Sequence, residues 1–305
     1  MNVLEIQGLS KRFGKQTIID GLDMTVPEGC VFGFIGKNGS GKTTTMKMVL
    51  GLLAPDAGDI RICGENVRFG HAPAGGTVGY LPDVPEFYAY MTAMQYLRLC
   101  GAIIGLSPTS LQQRAETLLD LVGLAGEGKR IGGYSRGMKQ RLGIAQALLT
   151  EPKLLICDEP TSALDPAGRK DILDILRTIS DQTTVIFSTH ILSDVERICD
   201  RVALLNDGKI AVSGTLSALK ERHGRDSLRV AFANAEDLAR FKAQPSVQPL
   251  LAQAEEAGCT WTLHSRHMAL AERTLFGVFA ETGICPLQLE VVAPSLEHLF
   301  LEVTQ

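Results

Sequence analysis

The sequence predicts an α/β fold with a mainly parallel core sheet, a helical insertion and a small C-terminal α+β domain. Four short apolar runs are bounded by glycine, proline or charged residues, as is typical of strands buried on both faces of a sheet. These runs are Val31–Ile35, Leu154–Cys157, Thr184–Ser188 and Val202–Leu205. Helical patterns separate them over roughly the first 215 residues, and this alternation is typical of a parallel sheet. Beyond Gly214 the pattern changes, which indicates a second domain.

Two boundaries follow from the order of these elements. The stretch from about Glu86 to Thr150 has a helical pattern throughout, so we expect a helical insertion at about residues 86–150. The polar run Lys220–Asp226 predicts a linker. We therefore expect a first domain over residues 1–220 and a second domain over residues 221–305.

The second domain is predicted to alternate strands and helices. The expected strands lie near Leu228–Ala233, Cys259–His264 and Leu287–Val292, and the expected helices near Ala235–Ala243 and Glu272–Glu281. A last helix is predicted with Ser295 as its N-cap and with Leu296, Leu299, Phe300 and Val303 on one face. No group of residues suited to catalysis stands out here, so we expect an accessory module.

Composition and charge exclude several classes of protein. Of the 305 residues, 45% are apolar and 21% are charged, which is close to average globular usage and excludes disorder, collagen and coiled coil. The net charge of −4 gives no general positive field for a nucleic-acid partner. The longest uncharged stretch, Leu99–Gln113, has 15 residues, whereas a membrane span needs about 20 apolar ones. Met1–Phe13 lacks the pattern of a signal peptide, so we expect a cytoplasmic protein without a transmembrane span.

A glycine-rich loop is the strongest chemical signal. Residues 36–43 match the pattern G-x-x-x-x-G-K-[ST], follow the strand Val31–Ile35 and precede a helical pattern over Thr44–Leu52. In such a loop the backbone N–H groups and the helix N-terminus bind phosphate, the lysine adds a positive charge, and the hydroxyl of Thr43 can ligate Mg²⁺. The alternative is a glycine-rich turn beside a solvated lysine. The predicted phosphate contacts are Gly36, Lys37, Asn38, Gly39, Ser40, Gly41, Lys42, Thr43 and Thr44.

Polar residues at the ends of two other predicted strands complete the expected site. Asp158 and Glu159 follow the apolar run Leu154–Cys157, and His190 follows Thr184–Ser188. Ligands of open α/β sheets bind at this edge. Asp158 can hold Mg²⁺ through its water shell, Glu159 can deprotonate an attacking water, and a neutral His190 can bond a terminal phosphate. Alternatively, the two acids cap the next helix, and His190 is an ordinary surface-loop histidine.

Two further features lie outside the strand ends. Phe13 precedes the glycine-rich loop and can stack on a nucleotide base, although a partly buried phenylalanine at a strand end is the simpler interpretation. Ser135 and Gly137 stand at the start of a predicted helix, where Ser135 is a suitable N-cap. A serine and a glycine at a helix N-terminus make a second anion site, which the first one does not require. This redundancy indicates a dimer.

Together these motifs resemble the nucleotide-binding subunit of an ABC transporter, over roughly residues 2–220. In chain order the resemblance rests on the loop Gly36–Thr43, Gly79–Asp83, Ser135–Gln140, Asp158 with Glu159, Ser162–Asp165, and His190. The sequence Ser135–Leu142 and the tail Pro294–Phe300 resemble the ATPase subunits that pair with ABC-2 type export permeases.

The resemblance implies a P-loop ATPase that binds ATP and Mg²⁺ and powers a separate integral-membrane permease from the cytoplasmic face of the membrane. It implies a head-to-tail homodimer, or a pairing with an equivalent second ATPase subunit, in which Ser135 and Gly137 of one copy reach the phosphate on Lys42 of the other. It further implies that Glu159 is the general base and His190 a γ-phosphate switch. Asp165 would belong to the loop that links the two sites, and the Glu86–Leu99 region would meet the permease.

Some residues depart from the family's commonest pattern. Lys37 stands where proline is usual, and Arg136 and Met138 stand where glycine and glutamine are commoner. Asp83 stands where a glutamine normally reaches the metal, so Mg²⁺ ligation by Asp83 is an open question. Two other functions fit the sequence: a soluble ATPase of this type acting on a non-membrane machine, and a regulatory nucleotide-binding module that does not turn over.

Overall fold

The computed structural model describes residues 1–71, 76–223, 227–264 and 268–292, with 296 and 300 in addition. Its contacts divide the chain into two units, Met1–Leu216 and Ser217–Gln305. The division falls four residues before the boundary that the sequence predicts.

A six-stranded sheet forms the centre of the first unit. Its strands are β3 (Val31–Gly36), β6 (Val78–Leu81), β7 (Leu154–Asp158), β8 (Thr184–Thr189), β9 (Arg201–Asn206) and β10 (Lys209–Thr215). Their order is β10-β9-β3-β8-β7-β6, and all neighbours are parallel except the pair β9 and β10. β3, β7 and β8 are buried along their whole length, which explains their unbroken apolar runs. The prediction of a mainly parallel core sheet is confirmed.

A second sheet in this unit was not predicted. It is antiparallel, in the order β2-β1-β4-β5, and consists of β1 (Asn2–Phe13), β2 (Gln16–Pro27), β4 (Ala57–Ile62) and β5 (Glu65–Asn66). Much of it is exposed, so it lacks the continuous apolar runs that mark the central strands. Its buried side chains, such as Leu4 and Ile60, share one core with Met46 and with Ile156 of the parallel sheet.

Seven α-helices begin in the described part of residues 1–216. They are α1 (Lys42–Val49), α2 (Ala93–Ile103), α3 (Pro108–Leu121), α4 (Arg136–Ala147), α5 (Pro166–Ile179), α6 (Leu192–Ile198) and α7 (Leu216–His223). Side chains of Thr92, Ser107, Ser135 and Asp165 cap α2 to α5. The prediction that a linker begins at Lys220 is wrong, because α7 extends to His223. Leu219 of this helix is buried. Lys220 and Glu221 are good helix formers.

The second unit contains an antiparallel sheet in the order β12-β13-β11-β14. The strands are β11 (Ser227–Ala231), β12 (Ala254–Ala257), β13 (Thr260–His264) and β14 (Gln288–Val292), and the helices are α8 (Ala235–Lys242) and α9 (Met268–Thr282). Trp261, Phe241 and Leu228 lie in its core. The sequence missed β12, whose residues are mostly exposed. Most of the predicted last helix lies outside the described residues, although Leu296 and Phe300 are helical.

Candidate active site

The glycine-rich loop connects the end of β3 to the start of α1. Gly41 has a φ of 107° and is the N-cap of α1, and a Cβ built on it would lie 2.6 Å from Cδ1 of Ile19. A Cβ on Gly36 would lie 2.5 Å from Oγ of Ser40. Glycine is therefore required at both positions. Among the described residues no side chain caps α1, and its first turn has no acidic residue. The N–H groups at the positive end of this helix are therefore available to bind an anion.

Lys42 is buried beneath this loop with only 6% exposure. Its Nζ donates to the carbonyl of Gly36 at 2.8 Å and to that of Lys37 at 3.3 Å. The Nζ also lies 3.2 Å from Oε1 of Glu159. Oγ of Ser40, a buried atom of the same loop, has no hydrogen-bond partner among the residues that the structure describes. A buried ammonium and an unpaired hydroxyl fit a phosphate ligand, which would accept hydrogen bonds from both.

Asp158 and Glu159 stand at the end of β7, as predicted, but in different surroundings. Asp158 is buried and accepts a hydrogen bond from Oγ of Ser188. Glu159 has a φ of 48°, a region that residues other than glycine seldom adopt, and its N–H donates to the carbonyl of Ser188 at 3.1 Å. The N-cap of α5 is Asp165, which accepts from the N–H of Gly168 at 3.0 Å. The alternative that Asp158 and Glu159 cap the next helix is therefore wrong.

The carboxylate of Glu159 bridges two functional groups. One oxygen faces Nζ of Lys42, and Oε2 lies 2.9 Å from Nδ1 of His190. His190 is exposed on its outer side, and Glu159 is half-buried between the two partners. The structure brings together the three residues that the sequence proposed for catalysis, from the start of α1 and from the ends of β7 and β8.

A cavity of about 420 Å³ opens beside these residues. Nine predicted residues line it: Phe13, Asn38, Gly39, Gly41, Lys42, Thr43, Thr44, Asp83 and Glu159. Ile18 and Ser162 also line it, and sequence reasoning did not assign these two residues to the site. Phe13 is half-exposed at the cavity, with Nζ of Lys11 5.6 Å from the ring centre. The predicted residues outside this lining are Gly36, Lys37, Ser40, Ser135, Gly137, Asp158 and His190.

The oxygen atoms around the cavity suit Mg²⁺. In the described parts of the chain no three His, Cys, Asp or Glu side chains cluster as a self-sufficient metal site. Thr43, which is exposed, and Asp83 line the cavity, and Asp158 lies at the nearby strand end. Mg²⁺ is commonly held by one or two such oxygens together with phosphate and water, so this donor set fits it.

A buried network that the sequence did not reveal fixes the segment after Glu159. Asp194 of α6 is buried, and its Oδ2 accepts from Oγ1 of Thr161 at 2.7 Å. Its Oδ1 accepts from Nη2 of Arg169 on α5 at 2.6 Å. The loop that carries Glu159 and the helix that follows His190 are thus joined through one carboxylate.

This loop, this strand order and these strand-end acids define a P-loop ATPase. A sequence model of the family described as ABC transporter matches residues 19–162. The chain is 36% identical over 302 residues to the uncharacterized ABC transporter ATP-binding protein YxlF of Bacillus subtilis, covering 99% of both chains. It is 33% identical over 304 residues to the Nod factor export ATP-binding protein I of Rhizobium sp. (strain N33), covering 99% of this chain and 96% of that protein. The chain belongs to the ABC transporter ATP-binding family.

A solved structure agrees with this assignment. The ATP-binding subunit of an ABC transporter superposes with a TM-score of 0.63 and 32% identity, covering 73% of this chain and 93% of that one. The protein is therefore an ATPase of the kind that drives membrane transport. No helix in the described ranges combines the length and the apolar character that crossing a membrane requires.

Proposed function

We propose that this chain powers a separate ABC-2 type export permease from the cytoplasmic face of the membrane. The observation that carries the ATPase part of the proposal is the pairing of the buried Lys42 with Glu159 at 3.2 Å beside an open cavity. A relative that matches along nearly its whole length is named for Nod factor export. That name supports the direction of transport, whereas the cargo stays open.

In this proposal ATP enters the cavity with its base against Phe13 and its phosphates along the loop. The phosphates accept hydrogen bonds from the N–H groups at the start of α1 and from Nζ of Lys42. Because Lys42 then faces phosphate, it no longer holds Oε1 of Glu159. The freed carboxylate accepts a proton from the attacking water, and His190 orients Glu159 and bonds the terminal phosphate.

Thr43, Asp158 and Asp83 are the residues proposed to hold Mg²⁺. When bound, the ion neutralises charge that develops on the transferred phosphoryl group. The protein contributes the hydroxyl of Thr43 and the carboxylates of Asp158 and Asp83, which lie at the edge of the sheet next to the glycine-rich loop.

We propose a head-to-tail dimer because Ser135 and Gly137 do not line the cavity of their own chain. Ser135 caps α4, accepting from the N–H of Met138 at 3.2 Å. Gly137 is partly exposed, and a Cβ built there would make only ordinary contact, 3.9 Å from Cδ2 of Leu164. This small, uncovered N-terminus is suited to the terminal phosphate of a nucleotide bound to a second copy or an equivalent ATPase subunit.

A groove next to Asp83 is the proposed permease contact. It has a volume of about 370 Å³ and is lined by residues of the 83–89 and 131–139 segments, including Phe87 and Ile131. Tyr88 and Tyr90 are exposed nearby, and exposed aromatic residues are enriched at protein interfaces.

We also propose that residues 1–220 form the ATP-binding domain, with a helical subdomain at about 86–150, and that residues 221–305 form an accessory domain.

Purification from detergent-solubilised membranes tests this function. We expect the chain to co-purify with a multi-span membrane protein and to hydrolyse ATP, and replacement of Tyr88 and Tyr90 by serine should release the membrane protein while nucleotide binding persists. Association with ribosomes or another soluble machine in its place would favour the alternative function. Nucleotide binding without turnover by the membrane complex would favour a regulatory module.

A further inference from the structure

Asp83 is attached to α4 twice. Its Oδ1 lies 3.2 Å from Nη2 of Arg136, the first residue of α4. Its carbonyl accepts a hydrogen bond of 2.6 Å from Nε2 of Gln140, which is fully buried. The second contact fixes the backbone of Asp83, whereas the first decides where its carboxylate points.

Asp83 lines both the nucleotide cavity and the adjacent groove, whereas Arg136 lines the groove alone. The ionisable lining of the cavity consists of Lys42 with the two carboxylates Glu159 and Asp83. Glu159 is paired with Lys42 and His190. Arg136 is therefore the cation that pairs with the negative charge of Asp83, and it does so from the groove and not from the cavity.

An uncompensated carboxylate in this position would repel the phosphates of a nucleotide. A bound Mg²⁺ would reverse that effect, because the cation attracts the same carboxylate. We propose that Arg136 is a positioning residue that holds the Asp83 carboxylate toward the groove until Mg²⁺ binds and thereby sets how strongly nucleotide affinity depends on Mg²⁺. The inference rests on the proposed binding of MgATP in this cavity.

The pair is suited to this role rather than to folding. Both side chains are more than a third exposed, 40% for Arg136 and 46% for Asp83, and exposed ion pairs contribute little to stability. The bond from Gln140 remains when Arg136 is replaced. An Arg136→Gln variant should therefore fold normally and keep the backbone of Asp83 in place.

Calorimetric titration with a non-hydrolysable ATP analogue, with Mg²⁺ and with EDTA, tests the proposal. For Arg136→Gln we expect the affinity measured without metal to fall roughly three- to tenfold. This is the effect expected when one unit charge repels the phosphates over several ångströms in a partly solvated cavity. Affinity for the Mg²⁺ complex should fall less than twofold. Asp83→Asn in the same chain should restore the metal-free affinity, and Arg136→Lys should keep that affinity. Arg229→Gln, which removes an exposed pair with Glu290 in the second unit, is the matched control and should change neither.

Three results would overturn the role of Arg136. They are unchanged affinities, an equal loss with and without Mg²⁺, and a loss that Asp83→Asn does not reverse. The equal loss would mean that Arg136 contacts the nucleotide directly. Failure of the unmodified protein to bind nucleotide would instead refute the proposed function, and this inference with it.

Discussion

Replacement of Asp194 by alanine tests whether the buried network after Glu159 stabilises the active-site segment. The change leaves the hydroxyl of Thr161, which is 1% exposed, and the guanidinium of Arg169 without their shared acceptor. Removing one partner of a buried ion pair costs about 3–5 kcal/mol. Because the side chain of Arg169 is 30% exposed, we expect a loss of about 2–4 kcal/mol, since water can recover part of its solvation.

The assay is urea unfolding at 25 °C, in which this loss should lower the midpoint by about 1 M. Asp174→Ala is the matched control, because Asp174 pairs with Arg197 at 2.9 Å between the same two helices, α5 and α6, but on the exposed surface. That variant should lose less than about 1 kcal/mol. Asp194→Asn, which keeps one acceptor oxygen, should fall between the two. Equal losses for Asp194→Ala and Asp174→Ala would refute the reasoning.

Three further predictions concern the cavity itself. Lys42→Ala should abolish ATP binding in a fluorescence titration because the phosphates lose a buried ammonium; unchanged affinity would disprove the phosphate-loop assignment. Glu159→Gln should bind ATP, lose hydrolysis by at least about a hundredfold and accumulate a dimer in size-exclusion chromatography, so hydrolysis at the parental rate would show that another group is the base. Phe13→Ala should weaken ATP binding by roughly five- to fiftyfold through lost stacking. It should leave inorganic triphosphate unaffected, and an equal loss for both ligands would contradict a contact with the base.

The sequence predicted the parts of the site that are local in the chain. The glycine spacing of residues 36–43 and the apolar run before Asp158 are visible in a few consecutive residues, because a tight phosphate loop and a buried strand each impose their own pattern. The predicted N-cap at Ser135 was confirmed for the same reason.

Contacts between segments that are distant in the chain could not be predicted from the sequence. Asp83 and Arg136 are 53 residues apart and Thr161 and Asp194 are 33 apart, and no periodicity in the sequence links either pair. The antiparallel sheet was missed because its strands alternate between exposed and buried residues, a weaker pattern than a continuous apolar run.

The contacts of Glu159 with Lys42 and His190 also affect the release of products at the end of an ATP hydrolysis cycle. Once ADP and inorganic phosphate begin to leave, the carboxylate of Glu159 can return to the ammonium of Lys42 and close the bond seen here at 3.2 Å. That internal re-pairing competes with rebinding of the products, because any phosphate that returns must displace a carboxylate already in place. In the proposed mechanism this competition would weaken product inhibition and would favour a ligand whose several phosphates together outcompete one glutamate.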